Sequence, residues 1–165
     1  MSAREEIVSA NGRYFERFEK GELEMPPARR FAILTCMDAR IDPAKAFGLE
    51  EGDAHVIRNA GGLAADDAIR SLIISHQLLG TQEVFVAAHT DCGMLTFTND
   101  ECHALLHGRS GADASSIDFL PFRDLEESVR DSLAKIRESP FLRDVRASGW
   151  IYDVRSGRLS EVAAA

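Results

Sequence analysis

Three residues in this chain have the side chains and spacing to hold a metal ion. Cys36 opens the segment Cys-Met-Asp-Ala-Arg (36–40), and His89 and Cys92 are separated by two residues in His-Thr-Asp-Cys-Gly (89–93). Thiolate and imidazole suit zinc, which usually takes four ligands in a tetrahedron, so three protein donors leave one position for chemistry. A zinc ion there lowers the pKa of its bound water and makes hydroxide near neutral pH. Asp38, two residues after Cys36, can accept a hydrogen bond from that hydroxide or reach the metal as a fourth ligand. Arg40 can decide between the two by pairing with the carboxylate through its planar fork. Taken alone, H-x-x-C more often describes small buried cysteines with a hydrogen-bonded histidine, and D-x-R a helix cap beside a surface cation. The two segments together, read as neighbours in space, point to zinc.

That neighbourhood follows from the elements around them. Phe31 to Thr35 (FAILT) is a continuous apolar run suited to a strand buried on both faces, with a second short run at 54–57 and a third, EVFVAA, at 83–88. Residues 66–79 repeat Ile69, Leu72, Ile73 and Leu79 at helical spacing, with Asp66 or Asp67 as cap and Gly80 as stop. Leu125, Val129, Leu133 and Ile136 share one face of a helix over 124–138 that ends before Pro140. A last strand is expected at 150–154, with Arg155-Ser156-Gly157 as its turn. Strands alternating with helices predict an α/β fold: a mostly parallel central sheet with helices on both faces. Sites in such sheets form beyond the carboxyl ends of strands. Cys36 follows FAILT directly and His89 follows EVFVAA directly, so both are expected at one edge.

The 165 residues, 45% hydrophobic, suffice for one domain, read here as 1–165 with an N-terminal helical arm over 1–25. Within that arm Ile7, Tyr14, Phe15 and Phe18 sit among charges, a helical signal over 3–20 interrupted at Asn11-Gly12 and closed by Pro26-Pro27. With 27 acidic against 19 basic residues and a net charge of -8, neither nucleic acid nor an anionic membrane is an expected partner. The first residues lack the apolar stretch of a secretory signal, and three cysteines do not suggest a disulfide framework, so a soluble, cytoplasmic protein is expected.

The segments CMDAR (36–40), RNAGG (58–62) and HTDCG (89–93) resemble, in order and separation, the three hallmark segments of the beta class of carbonic anhydrases. The resemblance covers about residues 31–95, and the other elements fit the same fold. It implies that Cys36, His89 and Cys92 bind one Zn2+ per chain and that Asp38 and Arg40 form a dyad. It implies reversible hydration of carbon dioxide to bicarbonate and a proton. It also implies a homodimer or homotetramer, and the aromatic arm agrees with an uncovered surface. Two thiolates give zinc more negative charge than three imidazoles do, so activity is expected to rise on the alkaline side of neutrality.

The chain departs from the family pattern at Met94, where many members have a second glycine. It also lacks the glutamine that one subclass carries upstream of the first cysteine. Two alternatives share the ligands: hydrolysis of carbon disulfide or carbonyl sulfide on the same fold, and a non-catalytic zinc-binding or sensing protein in which Asp38 closes the site. Gly61-Gly62 lacks the pattern of a phosphate loop and reads as close backbone approach beside the substrate. Cys102, His103 and His107 share a helical segment that could hold a second metal, though a solvated face is the commoner reason. His76 reads as structural, His55 has no evident partner, and 108–116 reads as a flexible loop.

Overall fold

The computed structural model describes residues 1–163. Its centre is a five-stranded sheet in the order β2-β1-β3-β4-β5. Strands β1 (Phe31–Cys36), β2 (Ala54–Asn59), β3 (Glu83–His89) and β4 (Arg146–Tyr152) run parallel, and β5 (Leu159–Val162) returns antiparallel to β4. Helices α1 (Ala3–Phe15), α2 (Pro43–Phe47), α3 (Asp66–Gln77), α4 (Asn99–Ser110) and α5 (Leu125–Glu138) complete it.

Every residue of β1 is buried, as its unbroken apolar run requires of a central parallel strand. In register, Phe31 lies beside Ala54 of β2 and Glu83 of β3, so β1 and β3 end at one edge. The chain moves from β1 to β2 in one direction and then from β2 to β3 and β4 in the other. Right-handed crossovers running in opposite directions place their connections on opposite faces. Helices α3 and α5 therefore cover one face, where Ala32, Leu34, Val84, Val86 and Ala88 pack with Leu72, Val129, Leu133 and Ile136. Among the described residues only the five-residue α2 serves the other. There a groove of about 470 Å³ stays open between Phe31, Phe47, Phe85 and Trp150. The expectation of helices on both faces thus holds in unequal measure. Among the described residues no helix is long and apolar enough to cross a membrane.

Boundaries differ locally from expectation. The first helix runs unbroken through Asn11-Gly12 to Phe15. It is exposed there, so Gly12 costs only propensity, about 1 kcal/mol, and the Ser2–Glu5 capping box fixes the start. Helix α3 is preceded by Ala65, and Asp66 and Asp67 sit in the first turn, favoured by the helix dipole rather than as caps. The last parallel strand begins at Arg146, earlier than expected, and β5 was not expected. Residues 108–110 finish α4 instead of opening a loop, after a Thr98–Glu101 capping box.

Gly149 in β4 lies under α5: a Cβ there would come within 2.5 Å of Val129 Cγ1 and 2.9 Å of Leu133 Cδ1. Gly149→Ala should therefore destabilise the fold by about 1–3 kcal/mol through overpacking. Urea denaturation checks this, and an unchanged midpoint would show that α5 can lift off the sheet freely.

Candidate metal centre

The reversal of winding between β1 and β3 opens a crevice at their carboxyl ends. Cys36 is the last residue of β1 and His89 the last of β3. The turn after β3 brings back Cys92, which opens a 3-10 turn at Gly93–Leu95. The Cys36, His89 and Cys92 donor atoms all lie within 4.8 Å of one another, and all three residues are buried. Ile41 and Met94 close the packing, with Phe97, Phe122 and Tyr152 against them.

His89 is oriented for ligation. Its Nδ1 lies 2.9 Å from the Thr90 carbonyl, which can only accept a hydrogen bond, so Nδ1 carries the hydrogen and the Nε2 lone pair is turned toward the sulfurs. That Nε2 is buried and has no hydrogen-bond partner among the described residues. A buried acceptor left unpaired is costly, and a cation between the three donors removes that cost. Two sulfurs and one imidazole nitrogen match the donor set zinc takes. Left to themselves the thiols share charge unequally. Cys36 is pushed down, chiefly by the hydrogen bond from Cys92 and further by His89 and the backbone amides of Asp38 and Gly61. Cys92 is pushed up, chiefly because it donates to Cys36, with burial adding. Burial opposes the charged form of His89, but Cys36, the Thr90 carbonyl and Asp38 more than offset it, so its pKa rises.

Asp38 stands at the rim. Its Oδ2 accepts from Arg40 Nη2 at 2.7 Å and lies 3.8 Å from His89 Nε2. Its Oδ1 accepts from Arg40 Nε at 3.0 Å and from the Arg40 backbone N–H at 2.8 Å. The Arg40 side chain, then its backbone amide, hold the Asp38 carboxyl far below the usual carboxylate range. Asp38 therefore stays ionised at neutral pH and acts as an acceptor. It faces Arg40 and is not one of the three clustered ligands.

Gly62 shows why glycine follows Arg58-Asn59-Ala60. With φ at +67°, it passes so close to β1 that a Cβ would lie 2.8 Å from the Cys36 nitrogen. Asn59 braces the turn, its amide donating to the Leu63 carbonyl at 2.8 Å and accepting from the Leu63 N–H at 2.9 Å. Arg58 has a role the sequence did not disclose: Nε donates to the Cys36 carbonyl at 2.9 Å and Nη2 to the Asp38 carbonyl at 2.7 Å. Its place in RNAGG was the only signal. Elsewhere, His103 and His107 contact the carbonyls of Ile117 and Ala112, and no second metal cluster occurs among the described residues. His76 meets the Thr81 carbonyl, and His55, expected without a partner, bonds Ser75 Oγ at 2.7 Å.

Comparison with known proteins agrees with this geometry. A family model described as carbonic anhydrase matches residues 31–159. Beta-carbonic anhydrase 1 of Mycobacterium tuberculosis is 44% identical over 98% of this chain and 99% of its own length. A carbon disulfide hydrolase of an Acidianus species is 35% identical over 82% of this chain and 78% of its own. The crystal structure of a carbonic anhydrase from Streptococcus mutans superposes with a TM-score of 0.94 at 49% identity, covering 99% of both chains.

Gly62→Ala should displace Cys36 and strain a left-handed backbone together. Bound zinc, measured by elemental analysis, is expected to fall well below that of the unaltered chain. Full zinc content in that variant would show that the Cys36 strand end has room to move.

Proposed function

Because this chain belongs to the beta-carbonic anhydrase family, we propose that Cys36, His89 and Cys92 hold one zinc ion at which carbon dioxide is reversibly hydrated to bicarbonate and a proton. The observation that carries this reading is the buried, unpartnered Nε2 of His89 facing two thiols. A zinc ion held by these donors supplies a nucleophile near neutral pH by acidifying water.

The remaining work falls to the chain's own residues. The hydrogen bond from His89 Nδ1 to Thr90 keeps the ring turned to its ligand position. Asp38, ionised and fixed by Arg40, presents an acceptor oxygen on the side of His89 Nε2 and would orient the attacking group by accepting a hydrogen bond from it. Released from Arg40, the same carboxylate can turn inward and close the fourth position, so Arg40 sets which of the two arrangements prevails. Gly61 and Gly62 contribute backbone to the wall of the site.

We also propose a homodimer or an even-numbered larger assembly. Helix α1 buries none of its residues, and Ile7, Val8 and Phe15 are 68%, 63% and 77% exposed. A 13-residue helix is marginal without packing. The groove between Phe31, Phe85 and Trp150 is an apolar surface of the kind such a helix covers.

Stopped-flow hydration with elemental analysis tests the main reading. One zinc per chain is expected, lost with activity in Cys36→Ala, His89→Ala or Cys92→Ala, whereas Asp38→Ala should keep zinc and lose roughly a hundredfold in rate. The Acidianus relative motivates a second substrate: rapid sulfide release from carbon disulfide, with slow hydration, would reassign the site to that hydrolysis. Full zinc with neither activity would make it a sensing site. In sedimentation, deletion of residues 1–20 should weaken association before it weakens metal binding, and a monomeric, fully active enzyme would refute the assembly.

A further inference from the structure

The Arg40 guanidinium is held from two loops. On one side it donates Nε and Nη2 to the Asp38 carboxylate at 3.0 and 2.7 Å. On the other, Nη1 donates to Asp91 Oδ2 at 2.7 Å and Nη2 to the Asp91 backbone carbonyl at 2.9 Å. Asp91 comes 51 residues later in the chain, between His89 and Cys92. Its φ of +57° lies in the left-handed region, which Asp and Asn enter more readily than other side-chain-bearing residues. An aspartate at this position meets two demands at once: it accepts the backbone turn that returns Cys92 to the site, and it places a carboxylate on the far corner of Arg40.

We propose that Asp91 is a positioning residue for the reaction, anchoring Arg40 so that the Asp38 carboxylate is presented in one orientation. This rests on the role given above to Asp38 and Arg40. Without the Asp91 carboxylate, Arg40 keeps Asp38 on one edge and the residue-91 carbonyl on Nη2, but its Nη1 corner has no partner and the guanidinium can pivot with the carboxylate it holds. A second carboxylate on Nη1 ties that group to the opposite loop, so Arg40 stays in place whichever way Asp38 turns. Asp91 also draws on the positive charge of Arg40 and repels Asp38. Its side chain is 63% exposed, however, so this longer-range effect is screened by solvent while the direct hydrogen bond is not. Anchoring therefore dominates, and its loss lowers activity.

Two variants separate the carboxylate from the turn. Asp91→Asn keeps the side-chain shape and the tolerance for positive φ, and Asp91→Gly keeps the backbone conformation with no side chain. In the zinc-loaded full chain, each should retain zinc and lose roughly twofold to fivefold in kcat with KM little changed, the glycine variant more. The Arg40 Nε–H signal in proton–nitrogen spectra should exchange faster with solvent in both. In an Arg40→Ala background, Asp91→Gly should cause no further loss. Unchanged kcat and unchanged Arg40 exchange in Asp91→Gly, where Arg40→Ala is impaired, overturns the positioning role alone. A loss that adds to that of Arg40→Ala, or a loss of zinc, also overturns it, because Asp91 then shapes the ligand loop directly. Normal hydration by Arg40→Ala overturns the underlying dyad reading instead.

Discussion

His89 has no exposed surface, and nothing among the described residues hydrogen-bonds its Nε2. A buried nitrogen that cannot bond water or protein destabilises a fold by about 1–3 kcal/mol, and much around it is arranged to keep it so. Thr90 occupies the other ring nitrogen, which fixes the tautomer. Cys36 and Cys92 bring two sulfurs into the same dry space, where Cys36 takes the charge and Cys92 is held as a thiol, so ionising both would need a cation. Gly62 has no side chain to keep the neighbouring loop away from the end of β1. A divalent ion between the three donors would resolve these demands together, and its binding would then be coupled to the stability of this corner.

Charge at the rim is managed by two arginines with different partners. Arg58 reaches from β2 to the carbonyls of Cys36 and Asp38 and so fixes the backbone of that segment. Arg40 takes the Asp38 carboxylate and leaves it ionised. With the main chain pinned by one and the side chain held by the other, Asp38 can change position only by rotating its own carboxylate. The planar donors of arginine suit both tasks, since the Arg58 side chain engages two oxygens at once and that of Arg40 four.

Opposite winding on either side of β1 accounts for both the site and the uncovered face. It opens the crevice where Cys36 and His89 meet, and it sends α3 and α5 to the same side of the sheet. The other side receives one short helix, leaving Phe31, Phe85 and Trp150 lining a groove while α1 stands with no buried residue. The arrangement that brings Cys36, His89 and Cys92 together in so small a chain also leaves an aromatic surface uncovered.

The alternation of apolar runs with amphipathic stretches was sufficient for the α/β fold, because burial on both faces forces an unbroken run in a parallel strand. The same runs placed Cys36 and His89 at strand ends, and residue chemistry nominated the three ligands with Asp38 and Arg40. Short elements escaped this reading. Helix α2 has five residues, too few for a helical period, and β5 takes its identity from pairing with β4 rather than from its own residues. Ala65 in place of Asp66 before α3 likewise turns on backbone angles that a cap motif does not encode. Three features were settled only in the folded molecule: the tie between Asp91 and Arg40, the grip of Arg58 on two carbonyls, and the unpaired nitrogen of His89. The first two join residues whose separation in the chain carries no periodic signal, the one needing β1 beside β3 and the other β1 beside β2. Sequence determined which atoms could do the chemistry; strand register and the direction of each crossover decided which of them meet.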